Sequence, residues 1–262
     1  MKKLILIICL LLVAARTIHA QQNTSYIEEN IKKIKERLGD KLLTTADEVI
    51  AKYVEAVGGK DAILSVKTLM YRGRNVRFGQ GDTPLVCYLK QPNLLRQTGY
   101  PGSTSYILSD GEKVWQVTPS ERREIDAWWA KSTLHKRIDG NFIDYKKRGI
   151  TYTYIGLEGF LTEPRVYYHL RRTFPDGEIE DLYFDIESGL LHGIWPTSTP
   201  RGDSPRFYYD YRDVGGILYP HVRMRVFNMA NPPHLFLIEE VKINKDFGEN
   251  FFTAYKEKPI KK

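Results

Sequence analysis

The stretch PLVCYLKQPNLLRQTGYPGSTSYILSDGEKVWQV, from Pro84 to Val117, decides the fold class of this chain. Its apolar runs are separated by turn residues at Gln91-Pro92-Asn93, Pro101-Gly102 and Asp110-Gly111. An Asp-Gly pair between two apolar runs is typical of a two-residue hairpin, in which both central residues need positive φ angles. The stretch therefore predicts four consecutive antiparallel strands.

Further strands are expected on both sides of this stretch. One begins near Thr68 and contains Gly73, and others follow from Ile150 to about Phe247, with turn signals roughly every ten residues. We expect about 11 or 12 antiparallel strands joined by short hairpins. A meander of this length must curl rather than stay flat.

The strands are preceded by two predicted helices. The first spans Ser25 to Leu38 and is charged apart from a narrow apolar stripe. The second begins at Thr45, which forms a predicted capping box with Glu48, and its broad apolar face predicts a place in the core. The sequence KDAILSVK, residues 60–67, predicts one more short helical turn.

The first 20 residues have the pattern of a secretory leader. Lys2 and Lys3 precede an apolar run that is too short to span a bilayer, and Ala20 provides a small residue at the cleavage site. Cys9 lies within the apolar run and lacks the setting of a lipidated cysteine. We therefore expect an exported protein that is not a lipoprotein. Its predicted parts are a helix and linker in residues 21–44 and a single domain in residues 45–262.

Charge and cysteine content exclude several classes of protein. The whole chain has 39 Lys and Arg against 32 Asp and Glu. Without Lys2, Lys3 and Arg16 of the leader, 36 basic residues remain against 32 acidic ones, a net charge of +4. Because the basic clusters are interleaved with acids, we expect no nucleic-acid partner. Cys87 is then the single cysteine, so no internal disulfide can form, and its mid-strand position predicts a small buried hydrophobe.

The histidines are not arranged as a metal or catalytic motif. No G-x-S-x-G or phosphate-binding loop is present, and no histidine has a partner at metal-ligand spacing. We expect no enzyme activity, no metal and no cofactor, although catalytic groups from distant strands would be invisible in the sequence. The histidines after the leader lie on five different elements: His135, His169, His192, His221 and His234.

Several strands carry apolar side chains on both faces. In Arg165 to Phe174, Val166, Tyr168 and Leu170 alternate with Tyr167. Two or three helices cannot cover both faces of so many strands. The surplus apolar surface therefore either closes as a barrel core or lines a cavity for an apolar ligand.

The segment from Ser120 to Gly149 differs from its surroundings. It has no strand alternation, is rich in charge and contains Trp128 and Trp129. A helix is predicted at about Ile125 to Ile138. We interpret the segment either as a mobile lid over an apolar groove or as a static plug that belongs to the core.

Two motifs resemble a known family. The patterns K-x-P-N-L, from Lys90 to Leu94, and S-D-G-x-x-x-W, from Ser109 to Trp115, followed by Pro119, resemble those of periplasmic lipoprotein carriers and outer-membrane lipoprotein-sorting proteins (LolA-like) of Gram-negative bacteria. Carriers of this family often have Arg at the position of Gln91. The resemblance implies an α+β fold, a strongly curved, open antiparallel half-barrel whose concave face is plugged by helices.

The resemblance also implies a function. It implies a periplasmic carrier that binds acyl chains of a lipid or lipoprotein in a hydrophobic groove for transfer to the outer membrane. The alternative is a lipid- or lipoprotein-sensing interaction domain of the envelope, and an envelope hydrolase is a more distant one. An inner- or outer-membrane protein is left open as a partner, and a monomer is expected.

The candidate residues fall into two sets. The groove candidates are Trp128, Trp129, Leu134, Tyr168, Leu170, Phe184, Tyr209 and Phe236. The family-motif residues, interpreted as structural, are Lys90, Pro92, Asn93, Asp110, Gly111 and Trp115. Trp115 is expected to pack in the core, because a large aromatic residue at this position usually anchors a sheet to a helix.

Overall fold

A computed structural model describes residues 25–125, 128–160, 165–197, 204–226, 232–248 and 250–253. The predicted leader, residues 1–20, lies outside the described residues. No helix within those ranges combines the length and apolar character needed to cross a membrane.

The helices precede and interrupt the strands. They are α1 (25–38), α2 (Ala46–Ala56), α3 (Lys60–Ser65) and α4 (Trp128–Leu134), with 3-10 turns at Gly39–Lys41 and Tyr145–Arg148. The predicted capping box is confirmed, since the Thr45 side chain accepts from the Glu48 amide and the Glu48 carboxylate accepts from the Thr45 amide. The predicted helix α4 is shorter than expected, ending at Leu134 rather than Ile138.

The described strands form one antiparallel sheet. They are β1 (Thr68–Arg77), β2 (Gly81–Lys90), β3 (Leu94–Thr98), β4 (Tyr106–Ser109), β5 (Val114–Val117), β6 (Arg122–Glu124), β7 (Thr151–Gly159), β8 (Val166–Thr173), β9 (Ile179–Asp185), β10 (Leu191–Pro196), β11 (Arg206–Val214), β12 (Ile217–Arg225) and β13 (His234–Ile243). The four strands predicted between Pro84 and Val117 are confirmed as β2 to β5.

The strand order corrects the predicted meander. It runs β6-β5-β4-β3-β2-β1-β13-β12-β11-β10-β9-β8-β7, so two meanders meet where β1 pairs with β13. The edge strand β6 was missed, because its three residues are too few to show alternation. The sheet is open, as expected for a half-barrel, because its edge strands β6 and β7 lie at opposite ends.

Gly73 explains how β1 fits in the middle of the sheet. The register between β1 and β13 shifts between Arg72 and Gly73. A Cβ atom at Gly73 would lie 1.9 Å from the carbonyl oxygen of Leu237. Only glycine permits this close approach of two backbones, so the bulge depends on it.

The Asp-Gly hairpin is confirmed, but not as a two-residue turn. Ser109 pairs with Val114, which leaves a four-residue loop, and of its residues only Gly111 has a positive φ, of 97°. The Asp110 carboxylate accepts the backbone amides of Glu112 and Lys113 and thereby fixes the loop. This side chain, rather than a second positive φ angle, determines the turn.

One face of the sheet, which we call the inner face, is covered by the helices. Tyr168 and Phe184 point from β8 and β9 into a buried cluster with α2, and Ile31, Ile34 and Leu38 of α1 pack against the same cluster. The first helix therefore lies on the core rather than projecting from it.

The opposite face of β8 to β10 is covered differently. Phe160 contacts the rings of Tyr167, Tyr183, His192 and Phe207. Strands β8 and β9 are thus packed on both faces. They need no ligand to cover them, contrary to one reading of the sequence.

Candidate ligand-binding site

A cavity of about 640 Å³ lies on the inner face, in the half of the sheet formed by β1 to β4 and β10 to β13. Its floor consists of strand residues, and Tyr53 of α2, Val57 at the end of α2 and Ile63 of α3 also line it. Its remaining wall is residues 132–142, which we call the covering segment. The volume is typical of small-molecule sites, which measure roughly 300 to 1,000 Å³.

One part of the wall is apolar. It belongs mainly to β1, β2 and β3 and to the beginning of β12. The aliphatic and aromatic side chains there include Leu69, Tyr71, Leu85, Leu89, Leu95, Ile107, Ile217, Leu218, Tyr219 and Phe236.

The phenols and the thiol of this region are not activated as nucleophiles. Burial raises the pKa of Tyr219 to about 12 and raises the pKa of Tyr71 well above its usual value. Burial also raises the pKa of the Cys87 thiol, which is fully buried as predicted. These groups therefore stay protonated at neutral pH, and none is poised as a nucleophile.

A buried ion network forms another part of the wall. The Glu180 carboxylate lies between Arg172 and Arg206, and Nη2 of Arg206 donates to Glu180 Oε1 at 2.6 Å. Burial alone would raise the pKa of Glu180, but the two arginines outweigh it and hold the pKa below its usual value. Arg172 also donates to the carbonyl oxygen of Gly140 at 2.8 Å, so the network ties the sheet to the covering segment.

The covering segment is held firmly at its carboxyl end. Phe142 is 4% exposed and contacts the rings of Tyr53 and Phe184. Just beyond it, Tyr145 donates to Asp47 of α2, which is also 2.6 Å from the Lys146 ammonium. Residues 139–149 therefore have the contacts of a static plug.

The amino end of the covering segment is attached through His135. Its Nδ1 is 2.9 Å from a Glu178 oxygen, and its Nε2 is 3.3 Å from an Asp176 oxygen. Among the described residues, this is the group with the spacing of metal ligands. The imidazole thus lies between two carboxylates, which link it to residues 176–178.

The predicted groove candidates are not gathered in the cavity. Phe236 lines it, and Leu134 is a half-buried residue of the covering segment that is not part of the cavity wall. Tyr168, Leu170 and Phe184 belong to the packed cluster under α1 and α2, away from the cavity wall. Tyr209 is 36% exposed and contacts His192 on the opposite face. The side chains of Trp128 and Trp129 lie outside the described part. Ligand binding by these eight residues stays a prediction.

The cavity residues that sequence reasoning missed include Tyr208 and Tyr211. Alternation places Tyr209 and Tyr211 on one face, but Asp210 has a φ of 53° and is absent from the pairing of β11 with β12. This local interruption brings Tyr208 and Tyr211 to the same cavity. The sequence of β11 contains no feature that predicts this interruption.

The family-motif residues form a structural junction. Asn93 donates to the carbonyl oxygen of Gly111 at 3.0 Å and approaches that of Leu134 at 3.5 Å. The indole of Trp115 donates to Asp110 at 2.8 Å. The motifs thus join the β2-β3 turn, the β4-β5 hairpin and the end of α4. The interpretation of the six motif residues as structural stays a prediction.

Two other motif positions need comment. Trp115 is half-buried, with the Arg122 guanidinium 3.8 Å from its ring, so the prediction that it packs in the core was wrong. Gln91, where carriers often have Arg, donates to the carbonyl oxygen of Val66 at 2.8 Å. This hydrogen bond fixes the segment that follows α3.

The fold and its cavity define a class: open, antiparallel half-barrels of the LolA-like kind, with helices on one face. No protein-family model and no curated protein match the sequence. Solved structures do match.

A LolA superfamily protein from Nitrosomonas europaea is 14% identical, with a TM-score of 0.57, over 81% of this chain and 99% of that one. A putative outer membrane lipoprotein-sorting protein domain from Vibrio parahaemolyticus is 10% identical, with a TM-score of 0.54, over 79% and 95%. A DUF1329 family protein from Desulfovibrio piger is 12% identical, with a TM-score of 0.55, over 78% and 95%. The resemblance deduced from the motifs is therefore confirmed for the fold.

Proposed function

We propose that the protein is a periplasmic carrier that binds acyl chains of a lipid or lipoprotein for transfer to the outer membrane. The observation that supports this is the cavity of about 640 Å³ between the sheet and the covering segment. The similarity of fold to a lipoprotein-sorting domain agrees with it. Export through the predicted leader, with cleavage near Ala20, is part of the proposal.

The apolar wall can supply the affinity that a carrier needs. Burying one methylene group contributes about 0.8 kcal/mol, so an acyl chain with a dozen buried methylenes contributes on the order of 10 kcal/mol before ordering costs. A cavity of the observed size accepts part or all of such a chain.

The experiment starts with protein purified from an envelope extract. Native mass spectrometry before and after solvent extraction detects a bound lipid, and a fluorescent fatty acid measures uptake by the emptied protein. Ile107→Trp fills the cavity from β4, whereas Ile155→Trp makes the same substitution at a β7 residue that is 47% exposed. We expect uptake to fall in the first variant and to remain in the second.

Two results would overturn the proposal. One is a wild-type protein that carries no lipid and takes up no fatty acid. The other is equal uptake by both tryptophan variants, with both folded by circular dichroism, because binding would then lie outside the cavity.

The sensing alternative uses the same cavity but differs in its output. A sensor needs a surface for a membrane or periplasmic partner, and the charged helix α1 is the candidate for it. Its apolar stripe packs against the core cluster, which leaves its charged face outward. Copurification of a membrane protein that is lost when charges on α1 are reversed would favour this alternative.

A further inference from the structure

The turn between β8 and β9 presents two carboxylates, those of Asp176 and Glu178, to the covering segment. The turn is closed by hydrogen bonds from the Phe174 amide to the Glu178 carbonyl oxygen and from the Gly177 amide to the Phe174 carbonyl oxygen, both of 2.9 Å. Asp176 Oδ1 also accepts the Glu178 amide at 3.2 Å. The turn itself therefore sets the relative position of the two acids.

The covering segment places His135 between these carboxylates. Its ring stacks on the ring of Phe174, with centroids 3.8 Å apart and an interplanar angle of 7°. Nδ1 is 2.9 Å from Glu178 Oε2, and Nε2 is 3.3 Å from Asp176 Oδ2. Because the stacking fixes the plane of the imidazole, its nitrogens keep a constant direction relative to both acids.

The two acids have no basic partner apart from His135 in the part of the chain that the structure describes. Neither Asp176 nor Glu178 forms a salt bridge with a lysine or arginine there. The Glu178 side chain is only 9% exposed, and burying a carboxylate without a balancing cation is costly. A protonated imidazole would supply one positive charge against two negative ones. A divalent cation would balance both.

The contact between His135 and Glu178 does not have the geometry of a hydrogen bond. Nδ1 and Oε2 are buried and 2.9 Å apart, yet both lack a hydrogen-bond partner in the described structure. Since the distance is short enough for a hydrogen bond, the oxygen must lie off the direction of the N–H bond. Two ligands of one metal ion have this arrangement, because each points at the ion rather than at the other ligand.

The distances also fit one ion. One His135 nitrogen and one oxygen of each acid lie within 4.8 Å of one another. Zinc bonds to nitrogen and oxygen are roughly 2.0 to 2.2 Å long, so neighbouring ligand atoms of one ion lie about 2.8 to 3.6 Å apart in right-angled to tetrahedral geometry. The contact of 2.9 Å between Nδ1 and Oε2 is in this range. The Asp176 side chain is 38% exposed, so its carboxylate is free to rotate toward the same ion.

We propose that His135, Asp176 and Glu178 bind one divalent metal ion, with zinc as the best match, and that this ion fastens the covering segment to the β8-β9 turn. Zinc accepts imidazole nitrogen and carboxylate oxygens, and three protein ligands leave a fourth position for water. His135 and Glu178 also line the cavity, so the ion closes one side of its wall. The site departs from the expectation of a protein without a metal, because its ligands come from segments far apart in the chain.

A zinc titration tests the site without any lipid, so its result is independent of the proposed acyl binding. The full-length protein, purified without a histidine tag and treated with EDTA, is titrated with zinc chloride by isothermal calorimetry. We expect one zinc ion per chain. Glu178→Gln and Asp176→Asn should each weaken binding at least about tenfold, since even partners outside the ligand set have such effects. Circular dichroism checks folding, and Asp176→Asn, at an exposed turn position, keeps the test valid if Glu178→Gln unfolds.

Glu158→Gln is the matched control. Glu158 also faces a histidine, since its carboxylate is 3.9 Å from His169 Nδ1. The other acid beside His169, Asp181, accepts two hydrogen bonds from Arg171, at 2.8 and 3.0 Å. The charge of Asp181 is therefore already balanced. We expect zinc binding to be unchanged in this variant.

Hydrogen exchange tests whether the ion fastens the covering segment. Zinc should slow exchange in residues 132–138 of the EDTA-treated protein, and this protection should be lost in Asp176→Asn. Residues 139–149 have their own anchors in Phe142 and Tyr145, so their exchange should not change.

Three results would overturn the inference. Absence of saturable zinc binding, or equal affinity in the wild type and both ligand variants, leaves a charged imidazole as the sole link between Asp176 and Glu178. Weakened binding in Glu158→Gln places the ion elsewhere. Zinc binding that depends on Asp176 and Glu178 but leaves exchange of residues 132–138 unchanged overturns the fastening.

Discussion

The two halves of the inner face differ in how their apolar side chains are covered. Around β8 and β9, aromatic and aliphatic side chains pack directly against α1 and α2, and Phe184 is fully buried. Around β1, β12 and β13, similar residues such as Phe236 border a cavity instead. We call these regions the packed half and the cavity half.

The difference separates residues that mainly stabilise the fold, in the packed half, from residues that border the cavity. A residue in the packed half has close neighbours on all sides, so its loss leaves a void. A residue in the cavity half already borders empty space, and removing its side chain costs less. Apolar character in the sequence therefore does not distinguish a core residue from a ligand-contacting one.

The largest expected effect on stability comes from a pair of Phe→Ala substitutions, one in each half. Phe184→Ala should lower the free energy of unfolding by about 3 to 5 kcal/mol, because it removes a fully buried ring. Phe236→Ala should lower it by about 1 to 2 kcal/mol, since the ring is half-buried. Urea unfolding measures both, and fatty-acid uptake should change only in Phe236→Ala. Equal destabilisation would show that the cavity half is as tightly packed as the other.

The ion network between the halves gives the next effect. Glu180→Gln should cost about 3 to 5 kcal/mol at pH 7, because Arg172 loses its buried counterion. Glu239→Gln, in an exposed pair with Arg74, is the control and should cost about 1 kcal/mol or less.

The network also predicts a pH dependence. Because the folded protein lowers the pKa of Glu180, its carboxylate contributes fully to stability above pH 4.5 and this contribution is lost as the pH falls further. Urea midpoints at pH 7 and pH 4 should show a smaller difference between wild type and Glu180→Gln at pH 4. A difference that grows on acidification would contradict this assignment.

Trp115→Ala, at the edge of the cavity half, should have a moderate effect. The indole makes one hydrogen bond to Asp110 and lies under Arg122, and such contacts contribute about 1 to 2 kcal/mol together. Thermal melting measures the loss. A cost as large as that of Phe184→Ala would restore the interpretation of Trp115 as a core residue.

The smallest effect is a local change in hydrogen exchange. We expect the part of the covering segment in residues 132–138 to exchange faster than Val166–Thr173 and to become protected when an acyl ligand is added. Residues 139–149, anchored by Phe142 and Tyr145, should exchange slowly with and without ligand. Slow exchange throughout would leave the segment as a static plug.

Much of the fold could be predicted from the sequence. Asp-Gly and other turn residues mark most strand boundaries, and Thr45 with Glu48 marks a helix start, because these signals depend on local backbone chemistry. The pairing of β1 with β13 could not be predicted, since it joins residues such as Leu69 and Ile243 that are far apart in the chain.

The candidate site was harder to predict for a physical reason. Alternation shows which residues share a face but not which face encloses a cavity. Arg223 and Arg225 therefore look like solvent-facing residues of β12, although both line the cavity. Similarly, Tyr168 and Phe236 look alike in sequence, and only the position of the helices separates a packed residue from a cavity residue.

The central pairing of β1 with β13 has a consequence for folding. When the chain is synthesised from its amino end, β1 is made long before β13. Leu69 therefore cannot pair with Ile243 until most of the chain has been made. Contacts between such distant residues slow folding, and an unpaired strand edge favours aggregation in the meantime. Because β1 and β13 both line the cavity, the cavity forms last. A partly synthesised chain has its packed half but no ligand-binding cavity.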